Sequence, residues 1–93
     1  MKYKNPYYKK TKKAFDMLIS CGFCKKNIIK YRKQGKGALL RIWVSRIEES
    51  EFPITSKDLI CPFCLKELGN LVKIDSDLAY RTHRSSVGTR RVD

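Results

Sequence analysis

Cys21-Gly22-Phe23-Cys24 and Cys61-Pro62-Phe63-Cys64 form two Cys-x-x-Cys units, separated by the 36 residues from Lys25 through Ile60. Two residues between cysteines let one tight turn present both sulfurs to a single ion. Two such turns complete the tetrahedron of thiolates that zinc takes at about 2.3 Å. Gly22 tolerates a tight backbone, and Pro62 fixes φ near about −65°, so both second positions suit such a turn. Four protein ligands leave no position open for water or substrate, which makes the expected site structural and not catalytic. The expected cofactor is one Zn2+ on Cys21, Cys24, Cys61 and Cys64. Disulfides, buried thiols and a dithiol redox pair are the competing chemistries. The redox pair expects a βαβ surround, whereas the flanking residues read as short hairpins.

A second group of residues carries charge chemistry. Lys and Arg number 21 against 9 acids, a net charge of +12, in a chain of 93 residues. Residues 1–46 hold 14 of those cations and the single acid Asp16 (+13), residues 47–79 hold 3 against 7 acids (−4), and residues 80–93 hold 4 against 1 (+3). An excess of this size implies an acidic partner. Lys2, Lys4, Lys9, Lys10, Lys12 and Lys13 are close enough in sequence to follow a phosphate backbone, and Tyr7 and Tyr8 among them can stack on unpaired bases. Lys30, Arg32, Lys33, Lys36 and Arg41 continue the basic run, with Trp43 beside Arg41 either as a stacking platform or packed in a second small core. Arg81, Arg84, Arg90 and Arg91 suit bidentate phosphate contacts. Gly35-Lys36-Gly37 lets amides approach a phosphate but lacks the remainder of a nucleotide-binding loop. No nucleophile and base are paired by the sequence, so the expectation is that the chain is not an enzyme.

The elements that position these residues follow from periodicity. Over residues 14–20, Phe15, Met17 and Ile19 alternate with Asp16, Leu18 and Ser20, which predicts a strand leading into Cys21, with one face of a helical turn through Phe15, Leu18 and Ile19 as the alternative. Residues 27–33 and 38–45 read as the two strands of a hairpin turning at residues 34–37. Residues 48–57, acidic and holding Pro53, read as a connection. Residues 65–68 and 71–74 read as a second hairpin turning at Gly69-Asn70. No internal repeat is visible beyond the cysteine pairs. The expected division is a basic Lys/Tyr arm at 1–13, a zinc-bearing domain at 14–78 and a basic Arg-rich arm at 79–93, with both arms flexible.

The paired Cys-x-x-Cys units and the strands after them, spanning residues 21–74, resemble the zinc-ribbon group, in which two cysteine knuckles at the tips of β-hairpins hold one zinc. That resemblance implies a small metal-bound, mainly-β fold. It also implies nucleic-acid work of the kind done by ribosomal and transcription proteins. The chain departs from the pattern in its long gap and in having Lys25 and Leu65 where a glycine commonly follows the second cysteine. The expected function is structural RNA binding, as a small ribosomal protein or ribosome-associated factor contacting rRNA. A DNA-binding or polymerase-associated transcription factor and a protein-interaction adaptor are the alternatives. No apolar run reaches the roughly 18 residues that span a bilayer, and the N-terminus has no signal-type apolar stretch, so no membrane partner, no small-molecule substrate and a cytoplasmic location are expected.

Overall fold

Two hairpins, each bent at a Cys-x-x-Cys turn, organise the chain. The computed structural model describes residues 1–35, 37, 39 and 41–92. Along these the order is β1 (Tyr3–Lys4), β2 (Ala14–Cys21), β3 (Asn27–Gln34), β4 (Arg41–Trp43), a 3-10 turn (Val44–Arg46), β5 (Ile47–Ser50), β6 (Asp58–Ile60), β7 (Glu67–Ile74), β8 (Asp77–Thr82) and β9 (Val87–Val92). One sheet has the order β1-β5-β3-β2-β9 and the other β4-β8-β7-β6, with every pairing antiparallel. The fold is therefore mainly β. No helix among the described residues is long and apolar enough to cross a membrane.

The expected alternation on β2 holds: Met17, Ile19 and Cys21 are buried, while Asp16, Leu18 and Ser20 point to the other face. Ile29 and Tyr31 continue the inner face on β3, and Ile47 on β5. These side chains meet Ile42, Leu59, Leu68 and Tyr80 of the second sheet in one core, with Phe52 edge-on to Tyr80 at 5.7 Å between ring centroids. The fully buried tyrosines are satisfied: Trp43 N donates to Tyr31 Oη (3.0 Å), and Tyr80 Oη donates to the Ser56 carbonyl (2.8 Å).

Several elements differ from the sequence expectation. Residues 27–33 and 38–45 do not pair as a hairpin: β3 pairs with β2 and β5, while β4 crosses to the other sheet and pairs with β8. The partner of β3 is the strand on the far side of its own cysteine turn, so the tip of the hairpin is the Cys-x-x-Cys turn. The acidic connection contains strand β5, whose Glu49 lies opposite Lys4 and Lys30. Gly69-Asn70 is not a turn but the middle of β7, and the reversal comes at Asp75 and Ser76, both at positive φ (48° and 72°), as a two-residue hairpin loop requires. Gly69 is needed because the neighbouring strand crosses so closely that a Cβ there would run into the Arg81 carbonyl.

The two stretches expected as arms are also part of the body. Residues 79–93 contain most of β8 and all of β9 as described, and Ala79 and Tyr80 are fully buried. Their exposed arginines hide the pattern, since an outer sheet strand with one solvated face reads like a polar tail. At the other end, β1 pairs with β5, and buried Asn5 donates to the Val44 and Ile47 carbonyls (2.6 and 2.8 Å). Lys9 N bonds the Ser45 carbonyl at 2.8 Å, which fastens the chain again four residues on. One polar side chain supplies that anchor, and composition cannot reveal it.

Candidate metal centre

Each cysteine turn closes in the same way. Lys25 N donates to the Cys21 carbonyl and Leu65 N to the Cys61 carbonyl (both 2.9 Å), while Cys21 N and Cys61 N reach back to the carbonyls of Lys26 and Lys66 (2.9 and 3.0 Å). Both turns require a left-handed residue after the second cysteine, and Lys25 (φ 68°) and Leu65 (φ 63°) supply it where glycine would do so without strain. Each hairpin also carries a register shift just before its first cysteine, between Ile19 and Ser20 and between Leu59 and Ile60. An offset of 40 positions relates Ile19 to Leu59, Cys21 to Cys61, Phe23 to Phe63, Cys24 to Cys64 and Ile28 to Leu68. The molecule thus has an internal repeat that the sequence shows only around its cysteines, where Phe23 and Lys26 recur as Phe63 and Lys66, because elsewhere the residues sharing a role differ in type.

The two turns face one another at one end of the core. Sγ atoms of all four cysteines lie within 4.8 Å of one another. Cys21 Sγ is 3.5 Å from Cys64 Sγ, and Cys24 Sγ is 3.6 Å from Cys61 Sγ. A tetrahedron with metal–sulfur bonds of about 2.3 Å has edges of about 3.8 Å, so the donor set fits one thiophilic metal ion. The four cysteines are unbridged, as free thiols. His83 stands apart from the cluster, beside Glu67 at 4.0 Å.

The surroundings prepare the sulfurs for charge. Phe23 N and Cys24 N donate to Cys21 Sγ at 3.4 and 3.5 Å. Burial acts to raise the Cys21 thiol, but the amides of Cys24 and Phe23 and the thiols of Cys64 and Cys24 favour its thiolate and bring it down to about 7. Burial pushes Cys61 up to about 12, reinforced by Cys24 and Cys64 and opposed by its own turn amides. The turn amides thus favour a thiolate at Cys21, while burial opposes one at Cys61, whose charge a cation among the sulfurs would compensate.

The strand-crossing loop at residues 83–86 clasps the first turn. Ser86 Oγ donates toward the carbonyls of Leu68 and His83 (both 2.7 Å), and Gly22 N donates to the Ser86 carbonyl at 2.7 Å. A Cβ on Gly22 would stand 2.7 Å from the Ser85 carbonyl oxygen, so glycine is required by a neighbouring backbone and not by the turn itself. Around the sulfurs, Lys26 Nζ lies 4.7 Å from the Phe63 ring centroid and Lys66 Nζ 5.6 Å from that of Phe23, so each turn's lysine covers the other turn's ring.

The residues expected to meet nucleic acid fall into separate places. Arg41 and Arg81 are opposite one another on β4 and β8, with Trp43 two residues along the same outer face. Both arginines are exposed, and neither forms an ion pair among the described residues. On the outer face of the other sheet, Lys4, Lys30, Arg32 and Arg90 are interleaved with Glu49, Leu18 and Asp16, and Arg32 pairs with Asp16 at 3.1 Å. Tyr8 is half-buried near Glu48, Asp16, Arg32 and Lys30, and burial followed by Glu48 raises its hydroxyl pKa. Burial, then a hydrogen bond that the protonated Glu48 carboxyl donates to Asp16, raises the Glu48 carboxyl pKa. That face is a mixed-charge surface and not a uniform basic one. Tyr7, Lys2, Lys9, Lys10, Lys12, Lys13 and Arg84 are exposed, Lys33 binds the carbonyls of Gln34 and Gly35 at its own strand end, and Arg91 stacks 4.3 Å over Phe15. Lys36 lies outside the described residues. Sequence reasoning counted Lys26 among the basic residues but missed Phe23, Phe63 and Lys66, although the repeated place of these residues within and after each cysteine pair was a visible signal.

No family model, no curated protein and no solved structure matches this chain.

Proposed function

We propose that the chain is a structural zinc protein that binds RNA, a ribosomal or ribosome-associated factor built on a zinc-ribbon-like pair of cysteine turns. Zinc would be held by Cys21, Cys24, Cys61 and Cys64, supplying a fixed crosslink between the hairpins, and the protein performs no catalysis. Zinc is the common structural choice for four thiolates, and a chain of this size needs such a staple. Structural zinc contributes roughly 10–16 kcal/mol of apparent binding energy in small domains, enough to decide whether they fold.

The observation that carries the RNA reading is the Arg41–Arg81 pair beside Trp43. Like charges directly opposite on a sheet repel, so two guanidinium groups with no acidic neighbour in contact are a cost to the free protein that a phosphate relieves. The half-buried indole next to them offers a stacking surface for an unpaired base, which favours structured RNA over regular duplex. The net charge of +12 supplies long-range attraction. Glu49 lies between Lys4 and Lys30, so it offers no free acidic patch to an adaptor's partner.

The test is competition between folded RNA and duplex DNA at matched salt, with the metal content measured on the same preparation. The expected outcome is one zinc per chain, preferred binding of RNA, and loss of both fold and binding on chelation. Affinity should fall with log[salt] by about 0.7–0.9 per phosphate contact. Sequencing of RNA crosslinked in cells, with sedimentation from the same lysate, should recover discrete rRNA sites. Recovery of DNA, or binding that survives high salt, would replace this reading with a transcription module or an adaptor.

A further inference from the structure

Phe23 and Phe63 are 55% and 45% exposed, outside the core, on turns whose backbones are closed by two hydrogen bonds each. Neither ring has a burial role, yet each is held under an ammonium group from the opposite turn. We infer that the rim of the metal centre is a second RNA contact, in which Phe23 and Phe63 stack on the bases of a single-stranded segment while Lys26 and Lys66 take its phosphates. This inference rests on the RNA reading above and adds residues and a ligand form to it.

Three observations converge on that ligand. First, each ring is paired with a cation, so an aromatic face and a phosphate partner stand side by side twice, related by the 40-residue repeat. Second, the magnitudes favour exchange, because a base stacked on an aromatic side chain contributes more than an exposed cation–π contact. A nucleotide can therefore displace the ammonium from the ring to its own phosphate with a net gain. Third, the patch is not uniformly apolar. Exposed Ile60 and Leu65 lie on the second hairpin, but Lys25 Nζ is fixed on the Gly22 carbonyl at 2.8 Å beside the first turn. An apolar protein surface seated here would have to strip water from three ammonium groups, whereas a phosphate backbone compensates them. Because the turns are locked before binding, little ordering cost is added.

The test uses the zinc-loaded full chain and a labelled oligoadenylate of roughly ten nucleotides, a length within the range one such site covers. Phe23→Ala with Phe63→Ala should weaken binding about tenfold or more with the salt slope unchanged, since stacking involves no counterion release. Phe→Tyr at both positions should retain affinity and Phe→Leu should not. Lys26→Gln with Lys66→Gln should flatten the salt slope. The ring resonances of Phe23 and Phe63 should move on addition of the oligonucleotide. Wild-type affinity in the Phe→Ala pair, verified as folded by its zinc content, overturns the inference. So does rescue by Phe→Leu, which would mark an apolar protein-docking rim. If the Phe→Ala pair binds normally but Arg41→Gln with Arg81→Gln does not, this inference fails and the RNA reading stands. If the wild-type chain binds neither oligoadenylate nor folded RNA, both fail.

Discussion

Two residues of the cysteine turns occupy backbone conformations that their side chains do not favour. Lys25 and Leu65 lie at φ 68° and 63° because a cysteine turn closing on the carbonyl of its first cysteine must pass through the left-handed region. A non-glycine residue there costs of order 1–2 kcal/mol, part of which glycine returns as unfolded-chain entropy. Leu65 is 75% exposed, so its side chain gives little in exchange. Leu65→Gly should therefore raise stability by about 0.5–1 kcal/mol, read as a higher denaturant midpoint in the zinc-loaded protein. A lower midpoint would mean that the Leu65 side chain contributes more than its exposure indicates. The four-cysteine cluster was legible at this scale because coordination chemistry acts through residue type and local spacing. The need for positive φ was not legible, since neither Lys nor Leu signals it.

At the scale of elements, glycines report where strands come together. Gly69 lies in mid-strand with ordinary extended φ, and its missing Cβ is what allows β8 to cross at the Arg81 carbonyl. Gly69→Ala must push backbone from backbone, because no flexible side chain can yield. We expect a loss of 3 kcal/mol or more, near the upper end of single-substitution effects, measured by chemical denaturation with zinc in excess. A loss below about 1 kcal/mol would show that the two strands separate freely. Sequence reasoning read this glycine as a turn because Gly-Asn is a common hairpin dipeptide, and the actual reversal at Asp75-Ser76 lacks glycine altogether. The strand at residues 14–21 was legible because one face is buried and its period of two is complete. β4 was given the wrong partner because local pattern does not choose one, and β9 was read as an arm because its exposed residues look like a polar tail.

At the scale of the molecule, the buried tyrosines tie stability to alkaline pH. Burial pushes Tyr80 up to about 12, and burial also raises Tyr31. In the unfolded chain a tyrosine loses its proton near pH 10, while folded Tyr80 keeps it up to about 12. The unfolded state thus binds fewer protons in this window, and stability falls as pH rises through it. The contribution is fully present below pH 10 and is lost progressively toward pH 12, by roughly 2–3 kcal/mol for Tyr80 alone. Denaturation midpoints measured from pH 9 to 12 should show this decline, and Tyr80→Phe, which cannot ionise, should show a shallower one despite losing its bond to Ser56. An equal slope in both proteins would place the alkaline transition elsewhere.

The sequence by itself determined the four candidate metal-binding sulfurs, the strand that leads into the first pair, the excess of positive charge and the small β class, since each depends on residue type, local spacing or a sum over the chain. Tertiary structure decided the rest. It set the two hairpins face to face so that four sulfurs meet, and it made the basic ends into paired strands held by Asn5 and by β2. It also placed Arg41 opposite Arg81 and each lysine over the other turn's ring. These are contacts between residues far apart in the chain, fixed by burial of a shared core, and a linear pattern records which residues want burial but not which ones bury one another.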